Sequence, residues 1–240
     1  EFELPKAWQS KQIILNFEAS DWETSVWIDD NLAMNHHGGY DPFTCNISPF
    51  LSDSRKHSIV VRVTDPTDKG RQPRGKQVSE PGGIWYTPSS GIWQSVWLEP
   101  AGISWISDLR IIPDIDNGKL SVSVLEERCL GPEGCPPVDM APSLAEVTVS
   151  IDGTIIGTAS GEAGMPVTID IPDPRLWSPD NPVLYDLKIK LITGGTVTDE
   201  VSSYAGMRKV SLGVTEDGIT RIMLNNRFVW QNGPLDQGFW

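Results

Sequence analysis

Leu187-Lys188-Ile189-Lys190-Leu191, followed by Thr193-Gly194-Gly195, decides the secondary-structure class of this chain. Branched apolar residues alternate with lysine, so a period of two puts one face against apolar surroundings and the other in water. That is a half-buried strand, not a helix. The triplet after it supplies residues that tolerate positive φ in a tight hairpin. The pattern recurs towards both ends of the chain: Ile59, Val61 and Val63 alternate with Ser58, Val60 and Arg62, and Val122 and Val124 with Ser121 and Ser123. Turn signals at Asp29-Asp30-Asn31, Asp152-Gly153, Asp217-Gly218 and Asn225-Asn226 separate such runs, and no ten residues keep a clean helical period. Many short alternating strands with regular turns predict antiparallel β-sandwiches and an all-β fold class.

The chain has 240 residues, 19 Lys+Arg against 32 Asp+Glu, a net charge of -13 and 10 Trp. That length suits one large or two ordinary globular domains. A Trp-rich stretch ends at Glu99-Pro100-Ala101-Gly102 and a plainer Val/Ile/Ser pattern begins. We therefore expect a first sandwich over 1–100, holding Trp8, Trp22, Trp27, Trp85, Trp93 and Trp97, and a second over 101–213, holding Trp105 and Trp177. A third piece, 214–240, is too short to fold alone. Gly131 to Pro142 reads as a Pro-rich surface insertion. No stretch approaches the ~18 apolar residues of a membrane span, and Glu1-Phe2-Glu3-Leu4-Pro5-Lys6 lacks the features of a signal peptide. The acidic balance repels phosphate backbones, and the densest basic cluster, Lys69, Arg71, Arg74 and Lys76, is one short segment. Neither nucleic acid nor a membrane is an expected partner; a neutral polar ligand is.

Three cysteines match no zinc signature, so neither a metal nor a cofactor is expected. Cys129 and Cys135 are either a small disulfide loop or two free thiols, and Cys45 reads as a small buried apolar residue. Asn46-Ile47-Ser48 is a glycosylation sequon, followed by Pro49. His36-His37 reads as a strand-end surface pair. Asp29-Asp30 and Glu126-Glu127 are adjacent acids, but neighbours on a strand point to opposite faces and neighbours in a turn are solvated, so neither pair is expected to be catalytic. Gly82-Gly83 and Gly194-Gly195 read as turns, not phosphate cradles.

Two segments, Gly38-Gly39-Tyr40-Asp41-Pro42-Phe43 and Ser90-Gly91-Ile92-Trp93-Gln94-Ser95-Val96-Trp97-Leu98-Glu99, resemble the N-terminal sugar-binding jelly roll of family 2 glycoside hydrolases, the β-galactosidase, β-glucuronidase and β-mannosidase group. Asp173-Pro174-Arg175-Leu176-Trp177-Ser178-Pro179-Asp180-Asn181-Pro182-Val183-Leu184-Tyr185 is similar to the signature of that family's immunoglobulin-like second domain. Gly206-Met207-Arg208-Lys209, with Leu224-Asn225-Asn226-Arg227, is similar to its entry into the catalytic barrel. The resemblance implies a jelly-roll sandwich, an immunoglobulin-like β-sandwich and then the first strands of a truncated TIM barrel. It also implies retaining hydrolysis by two barrel glutamates, one of them following an Asn, and the chain has no Asn-Glu dipeptide. The 240 residues are thus expected to be a catalytically silent portion that lacks earlier jelly-roll strands as well as the barrel.

Sugar binding is the chemistry this composition supports, because pyranoses offer apolar C–H faces to Trp and Tyr rings and polar edges to hydrogen-bonding groups. The segment Asp65 to Ser90 is longer and more polar than a hairpin needs, and it carries Arg74, Lys76, Trp85 and Tyr86 as candidate sugar contacts. Glu80 is the nearby acid. The other reading of this loop is a pad that packs the first domain onto the barrel. By resemblance, the end of the first barrel strand carries a Gly-Val-Asn…His-Glu motif lining the sugar subsite; this sequence departs from it, with Asn232, Asp236 and Gln237 in the neighbourhood as candidate sugar contacts, Asp236 first among them. Trp93 and Trp97 are expected on one face, in the sandwich core, and Trp177 as a loop anchor. The expected partner is a terminal β-linked sugar. A self-standing lectin-like module is the alternative function; homo-oligomerisation through the sandwiches is an expectation of the resemblance, and secretion rests only on the sequon and the cysteine pair.

Overall fold

The computed structural model describes residues 1–129 and 142–234. Ten strands lie in residues 1–101: β1 (Phe2–Glu3), β2 (Gln12–Phe17), β3 (Ser20–Asp21), β4 (Glu23–Ile28), β5 (Asn31–His37), β6 (Phe43–Asn46), β7 (Lys56–His57), β8 (Ile59–Thr64), β9 (Gly91–Ile92) and β10 (Val96–Ala101). Ten more follow: β11 (Ser104–Asp114), β12 (Lys119–Arg128), β13 (Leu144–Ile151), β14 (Thr154–Glu162), β15 (Pro166–Asp170), β16 (Tyr185–Thr193), β17 (Thr196–Ala205), β18 (Val210–Val214), β19 (Thr220–Leu224) and β20 (Arg227–Phe228). The only helical turns among the described residues are two of 3-10 type, Lys6–Trp8 and Ser48–Phe50. Every strand pairing is antiparallel. The chain divides into two compact units, Glu1–Ala101 and a second that takes in residues 102–129 and 142–233.

In the first unit the sheet β10-β2-β6 faces the sheet β5-β4-β8. Ile13, Leu15 and Phe17 from β2, with Val26 and Ile28 from β4, close the core between them, and Phe17 stacks on Phe43 with ring centroids 4.6 Å apart. Cys45 packs at the edge of this core as a free thiol, and burial pushes its pKa up. His57 is buried beneath Phe2, and its Nδ1 lies 2.7 Å from Asp29 Oδ2. Asp29 also accepts the Ser52 amide and hydroxyl and the Ser58 amide, so the His57 hydrogen bond first, and then the serines, hold its carboxyl below the usual range. This corrects the expectation of a solvated Asp29-Asp30 turn: Asp30 is exposed, whereas Asp29 ties the β4–β5 turn to β7.

In the second unit the sheet β11-β12-β15 packs on the sheet β14-β13-β16-β17. Leu187 and Ile189 point inward to join Val122, Val124, Val147 and Val149, Leu191 is likewise buried, and Lys188 and Lys190 point outward to Glu200 (2.9 Å) and Glu146 (2.8 Å). The period-two reading therefore holds residue by residue. The all-β class and the two β-sandwiches agree with the sequence. Trp177 anchors its loop as expected, its amide donating to the Met207 carbonyl and its ring lying 4.7 Å from the Arg208 guanidinium.

Glu126 departs from the simple reading of its pair. Glu127 is exposed, but Glu126 continues the inward row of Val122 and Val124. Its carboxylate accepts from Arg128 Nε (2.7 Å) and Nη2 (3.0 Å), from Ser143 Oγ (2.8 Å) and from Ser104 Oγ. Ser143 continues to Thr193 at 2.6 Å, so one polar network joins β11 and β12 to the end of β16 across the sandwich. Burial pushes the Glu126 carboxyl up, and the bonds from Arg128, Ser104 and Ser143 outweigh it, so it titrates below the ordinary carboxylate range. Glu126→Ala leaves Arg128 without this acceptor and is expected to cost about 3 kcal/mol, read as a lower urea midpoint for the second unit. Because the folded pKa is depressed, the contribution is present at neutral pH and is lost as pH falls towards it; the gap between wild type and Glu126→Gln should narrow in acid.

Candidate sugar-binding site

The segment between β8 and β9 folds on itself into a braced loop. Asp65 Oδ1 accepts the Thr67 amide (2.7 Å), and Gln72 Nε2 donates to the Thr67 carbonyl (2.8 Å). Arg74 Nη1 donates to the Asp68 carbonyl (3.2 Å), and the Ser79 hydroxyl donates to Asp68 Oδ1 (2.6 Å). Across the loop the Tyr86 amide donates to the Lys76 carbonyl (2.8 Å) and the Val78 amide to the Tyr86 carbonyl (3.2 Å). The buried Gln77 amide oxygen receives both the Ser89 amide (2.6 Å) and its hydroxyl (3.1 Å). A long loop whose backbone groups are satisfied by its own side chains is a compact, preorganised surface rather than a slack connection.

This bracing presents Trp85, 42% exposed, and Tyr86, 47% exposed, at the surface. Trp85 forms one wall of a cavity of about 490 Å³ that Asp68, Lys69, Val78, Ser79 and Glu80 complete. The Arg74 guanidinium carbon stands 6.0 Å from the Trp85 ring centroid. The Ser79 hydroxyl is the main group holding Asp68 below its ordinary pKa, which keeps it a hydrogen-bond acceptor. Glu80, Trp85 and Arg74, all noted from the sequence, thus meet at one place. Lys76 contributes its backbone to the brace. Asn232 is exposed beyond β20, and Asp236, Gln237 and Cys135 lie outside the described residues.

Trp93 and Trp97 correct the core expectation: they are 38% and 43% exposed. The even spacing misleads because β9 ends at Ile92 and β10 begins at Val96, so Trp93 lies outside the strand period. Its indole N–H donates to the Gly39 carbonyl at 2.8 Å, and its ring meets Tyr40 edge-on at 5.9 Å. Beside it lies a residue that sequence reading missed. Asp21, paired with Gly91 in the β3–β9 ladder, has a buried Oδ1 with no hydrogen-bond partner. Gly39 has no space for a side chain, since a Cβ there would come within 2.6 Å of that oxygen. Burial, and then the Asp65 carboxylate, push the Asp21 pKa up to about 6. The one sequence signal was the Gly38-Gly39 pair, which marks close backbone approach. Among the described residues no three His, Cys, Asp or Glu side chains form a metal-binding group.

The chain and its fold have parallels in known proteins. Residues 1–99 match the description "Glycosyl hydrolases family 2, sugar binding domain", and residues 105–208 match "Glycosyl hydrolases family 2". A β-galactosidase of Thermoanaerobacter pseudethanolicus is 24% identical over 87% of this chain and 28% of its own length. A β-glucuronidase of Paenibacillus borealis is 24% identical over 97% of this chain and 38% of its own. The crystal structure of a β-glycosidase from Bacteroides vulgatus superposes with a TM-score of 0.72 at 23% identity, over 95% of this chain and 27% of that one. The chain thus spans well under half the length of these relatives.

The raised Asp21 pKa has a defined sign. The folded state holds the proton more tightly than the unfolded chain, so stability falls as pH rises from about 4 to about 6 and then levels. Asp21→Asn removes that loss. Its thermal midpoint should match wild type at pH 4 and exceed it at pH 7.5; equal midpoints at both pH values contradict the assignment.

Proposed function

Because this chain belongs to glycoside hydrolase family 2, we propose that it is the non-catalytic β-sandwich portion of a longer, exo-acting β-glycosidase that hydrolyses terminal β-glycosides with retention. The observation that carries the proposal is the Trp85 wall of the braced loop, a flat ring beside Arg74, Asp68 and Glu80 in the region matched by the family's sugar-binding domain. Such a ring stacks on the C–H face of a pyranose while the polar groups meet its hydroxyls. Arg74, Lys76, Trp85 and Tyr86 are the proposed contacts. Retaining hydrolysis needs one carboxyl kept protonated beside an ionised one. The Ser79 hydroxyl holds the Asp68 carboxyl below its ordinary range, so it is an acceptor for a sugar hydroxyl.

The remaining assignments follow the same reading. The chain comprises a jelly roll over 1–100, an immunoglobulin-like sandwich over 101–213 and the start of a (β/α)8 barrel over 214–240, with Asn232, Asp236 and Gln237 directed to the sugar. Cys129 and Cys135 pair as a disulfide. A glycan at Asn46 would displace the bond its Nδ2 makes to Gln12 Oε1, 2.8 Å away.

Three measurements test this. The intact mass of the native source protein should exceed the 26.5 kDa of this chain by several tens of kilodaltons. A mass near 26.5 kDa favours a lectin-like module instead. The longer form should turn over a nitrophenyl β-glycoside, and the 240-residue chain should turn over none. In sugar titrations of the 240-residue chain, Trp85→Ala should weaken binding about tenfold. Undiminished binding by that variant moves the site elsewhere.

A further inference from the structure

A cavity of about 650 Å³ opens in the first unit between residues 3–9 and residues 53–57, and it shares no lining residue with the Trp85 cavity. Both of its walls are built. The first is the 3-10 turn Lys6–Trp8, closed by the Trp8 amide on the Pro5 carbonyl (2.9 Å) and by the Lys11 amide on the Trp8 carbonyl (3.1 Å). Trp8 packs against the sandwich core from this turn and also lines the cavity. The second wall is a run of serines anchored on Asp29. Ser52 gives its amide and its hydroxyl to Asp29 Oδ2 (3.0 and 2.7 Å), the Ser54 amide donates to Ser52 Oγ (3.4 Å), and the Lys56 amide donates to Ser54 Oγ (3.1 Å). The β1–β7 pairing of Glu3 with Lys56 joins the walls, and Arg55 Nε lies 2.9 Å from Glu3 Oε2 beside it.

His57 is the polar group that this frame leaves unused. Its side chain is only 5% exposed, its ring lies 5.4 Å from that of Phe2, and its Nδ1 is 2.7 Å from Asp29 Oδ2. Asp29 is held ionised by His57 and the serines, so it accepts here and the His57 proton sits on Nδ1. In the neutral ring Nε2 is then an acceptor, and among the described residues it has no partner although His57 lines the cavity. A buried acceptor without a donor is costly, and a hydroxyl-bearing molecule in the cavity supplies one. The charged lining selects no ion, because Lys6 and Arg55 are balanced by Glu3 and Asp53. Trp8 offers a flat apolar face, and the residues around it offer both donors and acceptors. A neutral sugar ring answers each of these features, with its C–H face for the indole and its hydroxyls for His57, Lys6 and Asp53. The volume falls within the ~300–1,000 Å³ of small-molecule pockets.

We propose that this cavity is a second carbohydrate site, which takes a neutral saccharide on Trp8 with His57 Nε2 accepting one of its hydroxyls. It is separate from the Trp85 site and does not depend on the chain being part of an enzyme.

Saturation-transfer NMR of the 240-residue chain, with lactose and cellobiose as probes, tests the site. The Trp85→Ala variant should keep saturable binding of at least one of these disaccharides. Adding Lys6→Ala and Asp53→Ala to it should weaken that binding about fivefold. Both positions are exposed and their side chains make no hydrogen bond among the described residues, so the fold is not at stake. Hydroxyl-radical footprinting of the unaltered chain gives a second reading: saccharide should lower Trp8 labelling about threefold by excluding water from the ring and leave exposed Tyr204 unchanged. Loss of all binding in Trp85→Ala keeps the Trp85 site and removes this one. Trp8 labelling that neither disaccharide alters overturns the proposal. So does Trp8 that is already protected in the longer gene product without saccharide, since another segment then fills the cavity.

Discussion

A β-sheet excludes water from an apolar face only where another surface lies against it, and this constraint organises the chain. In each unit two sheets meet: β10-β2-β6 with β5-β4-β8, and β11-β12-β15 with β14-β13-β16-β17. Strand alternation then sends polar residues to the outer faces, where Lys188 and Lys190 find Glu200 and Glu146. The sheet β18-β19-β20 obeys the constraint on one face only, with Met223 buried and Leu212 in water.

Carboxylates that sit within this frame have three different fates, set by what surrounds them. Glu126 is turned inward and saturated by Arg128, Ser143 and Ser104, so it remains ionised and links the two sheets of its sandwich. Asp29 is held by His57, Ser52 and Ser58 and fastens a hairpin turn. Asp21 has an oxygen with no donor and the Asp65 charge near it, so its proton is retained into the mildly acidic range. The residue type is the same or nearly so; the number of donors aimed at it decides its charge.

The exposed aromatic side chains follow from the same division between frame and loop. Sandwich cores consume the alternating apolar residues, which leaves recognition to connections at the strand ends. The loop between β8 and β9 meets that demand by satisfying its own backbone through Asp65, Asp68, Gln72 and Gln77, so Trp85 and Tyr86 stand on a braced surface without burial in the core. Lower ordering cost on binding is the physical advantage of such bracing.

Period-two alternation and turn residues were enough to establish strands and sandwiches, because these depend on local spacing along the chain, whereas the family was legible only through the resemblance of motifs such as Asp173 to Tyr185. The sequence also brought out Trp85, Arg74 and Glu80 as members of one loop. Spacing could not separate Leu187, which meets Val149 and the core, from Leu212, which meets water, since facing a partner is a property of distant sheets. It misplaced Trp93 because a strand ended one residue earlier, and it passed over Asp21 and His57 because their environments are assembled from Gly39, Asp65 and Asp29, each far away in sequence. Local pattern determined which way each strand's side chains alternate; only tertiary contact decided what each face meets, because burial and pKa depend on neighbours that the chain brings together by folding.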